Sequence, residues 1–207
     1  MELKNMAAPF ATSGTLFKLV RCRGCHNAVI DPAAVEKSML HTLAQMDFEK
    51  RLAMRLNKPH PLHHELMHLA VAGCPNGCTQ PQIKDFAVVG QMVVEPGDGC
   101  TACGACVAAC PDGCVSLDKS GPLFDRDRCL NCGLCLKACP TGTLRAVRTG
   151  YRILAGGRLG RRPCLGATLE EVASLEQVAA HLARRAELFV ARGRLADGPV
   201  GPSGPEA

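Results

Sequence analysis

The chain has 207 residues, of which 47% are hydrophobic, 21% charged and only 3% aromatic, with 14 cysteines and a formal net charge of +5. That length accommodates one ordinary domain, or one domain carrying a small insert, and excludes several large ones; no run approaches the roughly 18 apolar residues of a membrane span. So few aromatics leave little to stack on bases, which argues against a nucleic-acid partner despite the basic charge.

In chain order, residues 1–20 give no firm pattern, and Met1–Gly14 holds no continuous apolar stretch after Lys4, so a cytoplasmic location is the expectation. A cysteine pair, Cys22 and Cys25, follows. Asp31-Pro32 then reads as a helix start, and Val35, Met39, Leu43, Met46, Leu52 and Leu56 recur at helical spacing, predicting one amphipathic helix over 33–57. Pro59 and Pro61 end it. Strands are expected at 66–72 and 86–94, separated by the turn Gly73–Cys78, and again at 151–155 beyond a cysteine block running from Cys100 to Cys139. A basic glycine-rich loop, Gly156–Pro163, leads to a second helix over 174–192, where Ser174 and Gln177 form a capping box. The Gly- and Pro-rich tail, 193–207, reads as flexible.

His64-Glu65-Leu66-Met67-His68, with His60 and His63 nearby, spells a zinc-protease motif that works only when both histidines share a helical face. Prolines upstream and an apolar strand downstream remove that context. On a strand the two histidines stand about 13 Å apart along the chain.

The cysteines carry the chemistry. A reducing cytosol disfavours structural disulfides, so most of the 14 thiols are expected to be metal ligands. Residues 100–111, CTACGACVAACP, and 129–140, CLNCGLCLKACP, match in every cysteine and in the closing proline. Each has the rhythm in which three thiolates wrap one iron–sulfur cube and the fourth reaches the other, whereas zinc ribbons use simple pairs. Cys100, Cys103, Cys106 and Cys139 are therefore assigned to one 4Fe-4S cluster, and Cys129, Cys132, Cys135 and Cys110 to a second. Over about 50 residues the block resembles bacterial two-cluster ferredoxins. Cys114 reads as a buried apolar thiol. Residues 95–149 hold six acidic and six basic side chains, so the whole +5 lies on the remainder.

Residues 73–88, GCPNGCTQPQIKDFAV, resemble the signature of the nitrite and sulfite reductase family at Gly73, Cys74, Cys78, Asp85, Phe86, Ala87 and Val88. The resemblance implies a third 4Fe-4S cluster on Cys74 and Cys78, with Cys78 bridging to the iron of an adjacent siroheme. A ferredoxin placed directly after this signature is the arrangement of dissimilatory and anaerobic-type sulfite reductase subunits. Departures accompany the match. The family's first pair is spaced C-x5-C, whereas here Ala28 stands at the second position, Cys25 is expected to replace it, and Cys164 is the reserve. The family also places a long arginine-rich half before this pair, while 21 residues precede Cys22 here. Asn76, Arg158, Arg161 and Arg162, with Cys78, are the expected siroheme contacts, and Arg21 and Arg23 add positive charge.

The fold expected is α/β (α+β): a sulfite-reductase-like half domain, 1–94 and 150–192, interrupted by a ferredoxin-like two-cluster domain at 95–149. The function expected is electron relay from the two ferredoxin clusters to the third, coupled to siroheme for sulfite or nitrite reduction in an anaerobic complex with a redox partner protein and a second reductase subunit. The competing reading is an electron carrier or adaptor with neither siroheme nor substrate.

Overall fold

A computed structural model describes residues 10–13 and 16–193; the expected flexible tail falls, apart from Gly193, outside them. The elements run β1 (Phe10–Ser13), β2 (Phe17–Arg21), α1 (Pro32–Gln45), α2 (Phe48–Leu56), β3 (Met67–Ala72), β4 (Phe86–Pro96) and α3 (Ala105–Ala108). They continue with β5 (Val115–Asp118), β6 (Gly121–Phe124), α4 (Leu134–Ala138), β7 (Leu144–Ala155), β8 (Ala167–Ala173) and α5 (Leu175–Arg192). Six strands form one mixed sheet in the order β1-β2-β3-β4-β7-β8, and β5 pairs with β6 separately. Strands β2, β3 and β4 are parallel, and the remaining neighbours are antiparallel. This is the mixed α/β architecture expected.

One expectation needs correction. The single helix over 33–57 is two helices, because Asp47 takes a left-handed conformation at φ 50° and breaks the ladder before Phe48. Aspartate tolerates that region better than most residues. The apolar spacing continues across the break, with Phe48 and Leu52 both fully buried, so periodicity alone does not reveal it. At the other end the sequence signals hold: the Asp31 carboxylate accepts from Ala33 N–H at 2.9 Å, and Pro32 occupies the first turn, where its missing N–H costs nothing.

Helices α1, α2 and α5 cover one face of the sheet. Val35, Met39, Leu52, Leu182 and Phe189 pack there against Leu19, Leu69, Phe86 and Ile153. The α5 capping box is present, with Gln177 N–H donating to Ser174 Oγ at 3.3 Å and Ser174 N–H to Gln177 Oε1 at 2.8 Å. Small side chains, Ala70, Ala72 and Ala87, with Val89 and Leu154, form a second cluster.

Strands β4 and β7 are the longest and do two jobs. Their ladder runs from Phe86↔Ala155 to Pro96↔Leu144, with a bulge between Val93 and Val94. Beyond the bulge Val94 and Leu144 join a third apolar cluster with Cys106 and Val115, and Cys110, Cys135 and Cys139 pack against it. Residues 144–149 are therefore strand continuous with the sheet, and the cysteine block is clamped to it at both ends. Arg126 reinforces the clamp: its Nη2 donates to the Val94 carbonyl at 2.6 Å, and its guanidinium lies 4.6 Å from the Phe124 ring centroid.

The register between β3 and β4 has a specific lock. Asp85 is 1% exposed, and its carboxylate accepts from His68 N–H at 2.7 Å, while its own N–H donates to the His68 carbonyl at 2.9 Å. The signature's acidic residue is thus a strand fastener. Asp85→Ala leaves a buried N–H without this acceptor and should cost about 1–3 kcal/mol, read as a lower urea midpoint at unchanged slope.

Candidate metal centre

The two cysteine repeats fold alike. In each, the second residue after the first cysteine and the glycine after the second cysteine adopt positive φ: Ala102 at 53° and Gly104 at 75°, Asn131 at 55° and Gly133 at 71°. These left-handed bends turn successive thiols inward. They also aim backbone donors at sulfur, with Ala102 N–H 3.4 Å from Cys100 Sγ and Asn131 N–H 3.5 Å from Cys129 Sγ, and past the first repeat Cys114 N–H lies 3.2 Å from Cys110 Sγ. N–H groups aimed at thiolate sulfur stabilise its charge and tune a bound cluster.

Each repeat opens on a hollow. Cys100, Cys103, Cys106 and Cys139 line one of about 310 Å³, open space included. Cys110, Cys129, Cys132 and Cys135 line another of about 390 Å³, together with the buried Cys114. The fourth cysteine of each repeat thus stands with the first three of the other. Among the described residues no group of three or more His, Cys, Asp or Glu is set to hold a single metal ion. The thiols instead stand around cavity walls.

The electrostatics differ between thiols. Burial pushes up Cys106 and Cys132, and lifts Cys135 to about 11. Cys139 moves the other way, to about 7, because the Thr141 hydroxyl and the Leu144 N–H hydrogen-bond its sulfur. Thr141 Oγ1 lies 3.5 Å from Cys139 Sγ and 2.7 Å from Thr143 Oγ1, a donor chain that the cysteine spacing does not reveal. A buried thiol gives up its proton readily only to a metal. Thiols facing one hollow with backbone donors around them fit an iron–sulfur cube.

Away from the block, Cys22 and Cys74 sit just past the carboxyl ends of the parallel strands β2 and β3. Cys22 N–H continues the ladder to the Val71 carbonyl at 3.0 Å, and Gly73 N–H donates to Cys22 Sγ at 3.0 Å. The approach requires glycine: a Cβ on Gly73 would stand 2.9 Å from Ala28 Cβ and 3.2 Å from Cys22 Sγ. Burial raises the Cys74 thiol above its ordinary value, and the thiols of Cys25, Cys78 and Cys22 add to the effect. Cys74 is buried, whereas Cys25 and Cys78 are exposed.

The remaining expected site residues are more dispersed. Asn76 is exposed in the turn between Cys74 and Cys78. Arg158, Arg161 and Arg162 lie in the connection from β7 to β8, where Arg158 Nε donates to the Arg162 carbonyl at 3.3 Å and Arg161 and Arg162 are exposed. Gly166 in that connection donates to the Gln82 carbonyl at 2.7 Å, which ties the loop to the segment following Cys78. Cys164 pairs its backbone with Arg158 in both directions there. In the histidine stretch, His63–Glu65 form a single 3-10 turn and His68 lies on β3, so no helix presents His64 and His68 on one face. Glu65 is committed to Lys58 and to the Leu62 N–H, which hold its carboxyl below the usual range.

Comparison with known proteins bears on this geometry. Residues 99–143 match the model of a 4Fe-4S dicluster domain. Over 73 residues the chain is 36% identical to one of the subunits of the anaerobic sulfite reductase of Salmonella typhimurium, a stretch covering 32% of this chain and 21% of that protein. It is also 36% identical over 103 residues to the coenzyme F420-dependent sulfite reductase of Methanocaldococcus jannaschii, covering 49% of this chain and 17% of that protein. The chain is an iron–sulfur protein related to sulfite reductase subunits. Its fold resembles the crystal structure of dissimilatory sulfite reductase I across 95% of this chain and 58% of that one, at a TM-score of 0.51 and 17% identity. The match thus spans only about a fifth of the length of the curated relatives.

Gly73→Val tests the close approach in this sulfite-reductase-related chain. Overpacking against Ala28 and Cys22 should cost about 1–3 kcal/mol, measured by chemical denaturation, while the visible absorption of the 4Fe-4S dicluster segment persists.

Proposed function

We propose that the chain is a three-cluster electron-relay subunit of a sulfite- or nitrite-reducing complex. In this reading residues 1–94 and 150–192 form the reductase-like domain and 95–149 the ferredoxin. Cys100, Cys103, Cys106 and Cys139 hold one cube, Cys110, Cys129, Cys132 and Cys135 a second, and Cys22, Cys25, Cys74 and Cys78 a third. The carrying observation is that Cys22 and Cys74 sit just past the ends of two parallel strands, with Gly73 N–H donating to Cys22 Sγ at 3.0 Å in the close approach that only glycine allows. When bound, such clusters take up and pass on single electrons with little rearrangement.

This chain's own residues set the terms. Backbone N–H groups of Ala102, Cys114, Asn131 and Gly73 point at thiolate sulfurs, and the buried walls around Cys74, Cys106 and Cys135 keep water from them. Cys78 and Asn76 face outward, as do Arg161 and Arg162. A tetrapyrrole there is supported by cationic groups suited to its carboxylates, but these residues alone do not enclose it. We therefore assign siroheme to a site completed by a second subunit, in the cytoplasm, with a separate redox protein as donor. No helix among the described residues is long and apolar enough to cross a membrane. The exposure of Arg161 and Arg162 also favours the second reading, a carrier without siroheme.

Anaerobically purified protein should contain about twelve irons per chain, four per cube. Cys103→Ser and Cys132→Ser should each lose about four, since a hydroxyl is a poor substitute for thiolate. Cys78→Ser should lose about four irons and any Soret and red-region bands while the ferredoxin signals stay. About eight irons in the unaltered protein would reduce the assignment to the ferredoxin alone.

A further inference from the structure

The two repeats are near copies in sequence, yet they face the Cys22–Cys74 site unequally. A Cβ on Gly104, in the first repeat, would meet nothing within 4 Å, whereas on Gly133, its counterpart in the second, it would stand 2.8 Å from Met92 Sδ and 3.4 Å from Val29 Cγ1. The Asn131 carbonyl accepts from Met92 N–H at 2.7 Å. Val29 in turn donates to the Gly73 carbonyl at 2.8 Å, and Ala28 to the Cys25 carbonyl at 2.9 Å. The second repeat is therefore seated on the loop that carries Cys25, and the first is turned away from it.

One side chain spans the junction. Lys137, on α4 between Cys135 and Cys139, donates through Nζ to the His26 carbonyl and, at 3.4 Å, to the Ala28 carbonyl. The equivalent position of the first repeat is Ala108, which has no donor to offer. An ammonium carries three donors on a flexible four-carbon stem, so it can serve two carbonyls of an exposed loop at once.

We propose that Lys137 is a positioning residue, fastening the Cys129–Cys135 repeat to the Cys25 loop and holding a positive charge between the second and third cysteine sites. The fastening stands on the protein contacts; its electrostatic consequence rests on the three-cluster reading above. A fixed cation there favours the more negative, reduced state of the clusters beside it.

The test uses the full chain, purified anaerobically with its clusters, in four forms: unaltered, Lys137→Met, Lys137→Arg and Ala108→Lys. Native-state amide exchange in residues 25–29 should rise about threefold to tenfold in Lys137→Met, as expected for one lost hydrogen-bonded contact, and return towards the unaltered level in Lys137→Arg. Ala108→Lys adds the same charge to the repeat that faces away and should leave this loop unchanged. A reductive titration followed by electron paramagnetic resonance should show the cluster of Cys22, Cys25, Cys74 and Cys78 becoming harder to reduce in Lys137→Met, with recovery in Lys137→Arg. Unchanged exchange at 25–29 in Lys137→Met, or an effect that arginine does not rescue, overturns the proposal. About twelve irons with unmoved exchange sinks the Lys137 proposal and leaves the three-cluster reading standing. About eight irons with raised exchange sinks the third cluster and leaves the fastening standing.

Discussion

The antiparallel ladder between β4 and β7 is the constraint on which the remaining geometry depends. At about 3.4 Å per residue, the 11 residues of β4 span about 37 Å. One end of that length is buried in the sheet under α1, α2 and α5, and near the other Val94 is buried in the cluster against which the cysteines pack. The bulge at Val93 and Val94 lies where the ladder passes from one core to the other, and bulges sharpen local twist. Met92, just before it, is the residue on which the second repeat rests. Two apolar cores joined by a paired ribbon cannot swing independently, so the separation between cysteine groups is set by backbone hydrogen bonds.

A second constraint is local and steric. Parallel strands end side by side, and ligands in α/β sheets gather beyond their carboxyl ends, where loops diverge. Cys22 and Cys74 occupy such a position, and Cys22 Sγ comes close to the backbone of Gly73 only because that residue presents no side chain. Gly90 continues the requirement one strand over, since a Cβ there would stand 2.5 Å from the Gly73 carbonyl oxygen. Burial makes a bare thiolate unfavourable at Cys74, and the neighbouring thiols add to that. This is the arrangement expected where a metal takes the protons' place.

Much of this is legible in the sequence because the signals are local. The capping box at Ser174, the Asp31-Pro32 start and the repeated cysteine spacing each depend on neighbours in the chain, and each folds as its chemistry dictates. What escapes depends on partners far away. Strand β2 is five residues, Phe17–Arg21, too short for its alternation to stand out, and it exists because β3 pairs with it in parallel. Strand β8, with Glu170 and Glu171 in its middle, reads as loop until β7 supplies its ladder. The break at Asp47 has no proline or glycine as a marker. Cys22, Cys25, Cys74 and Cys78 stand out as a group in the sequence, but the close packing of Gly73 on Ala28 and Cys22 does not. Lys137 is no more than a surface charge until its carbonyl partners are placed.

The pairing of Pro96 with Leu144 has a consequence for how such a chain is assembled over evolutionary time. Because the polypeptide leaves and re-enters the sheet at two directly paired residues, the segment between them departs and returns through a single doorway. A tight hairpin turn closes the same gap without disturbing any strand order. A segment flanked in this way can be gained, lost or replaced without rethreading the sheet around it.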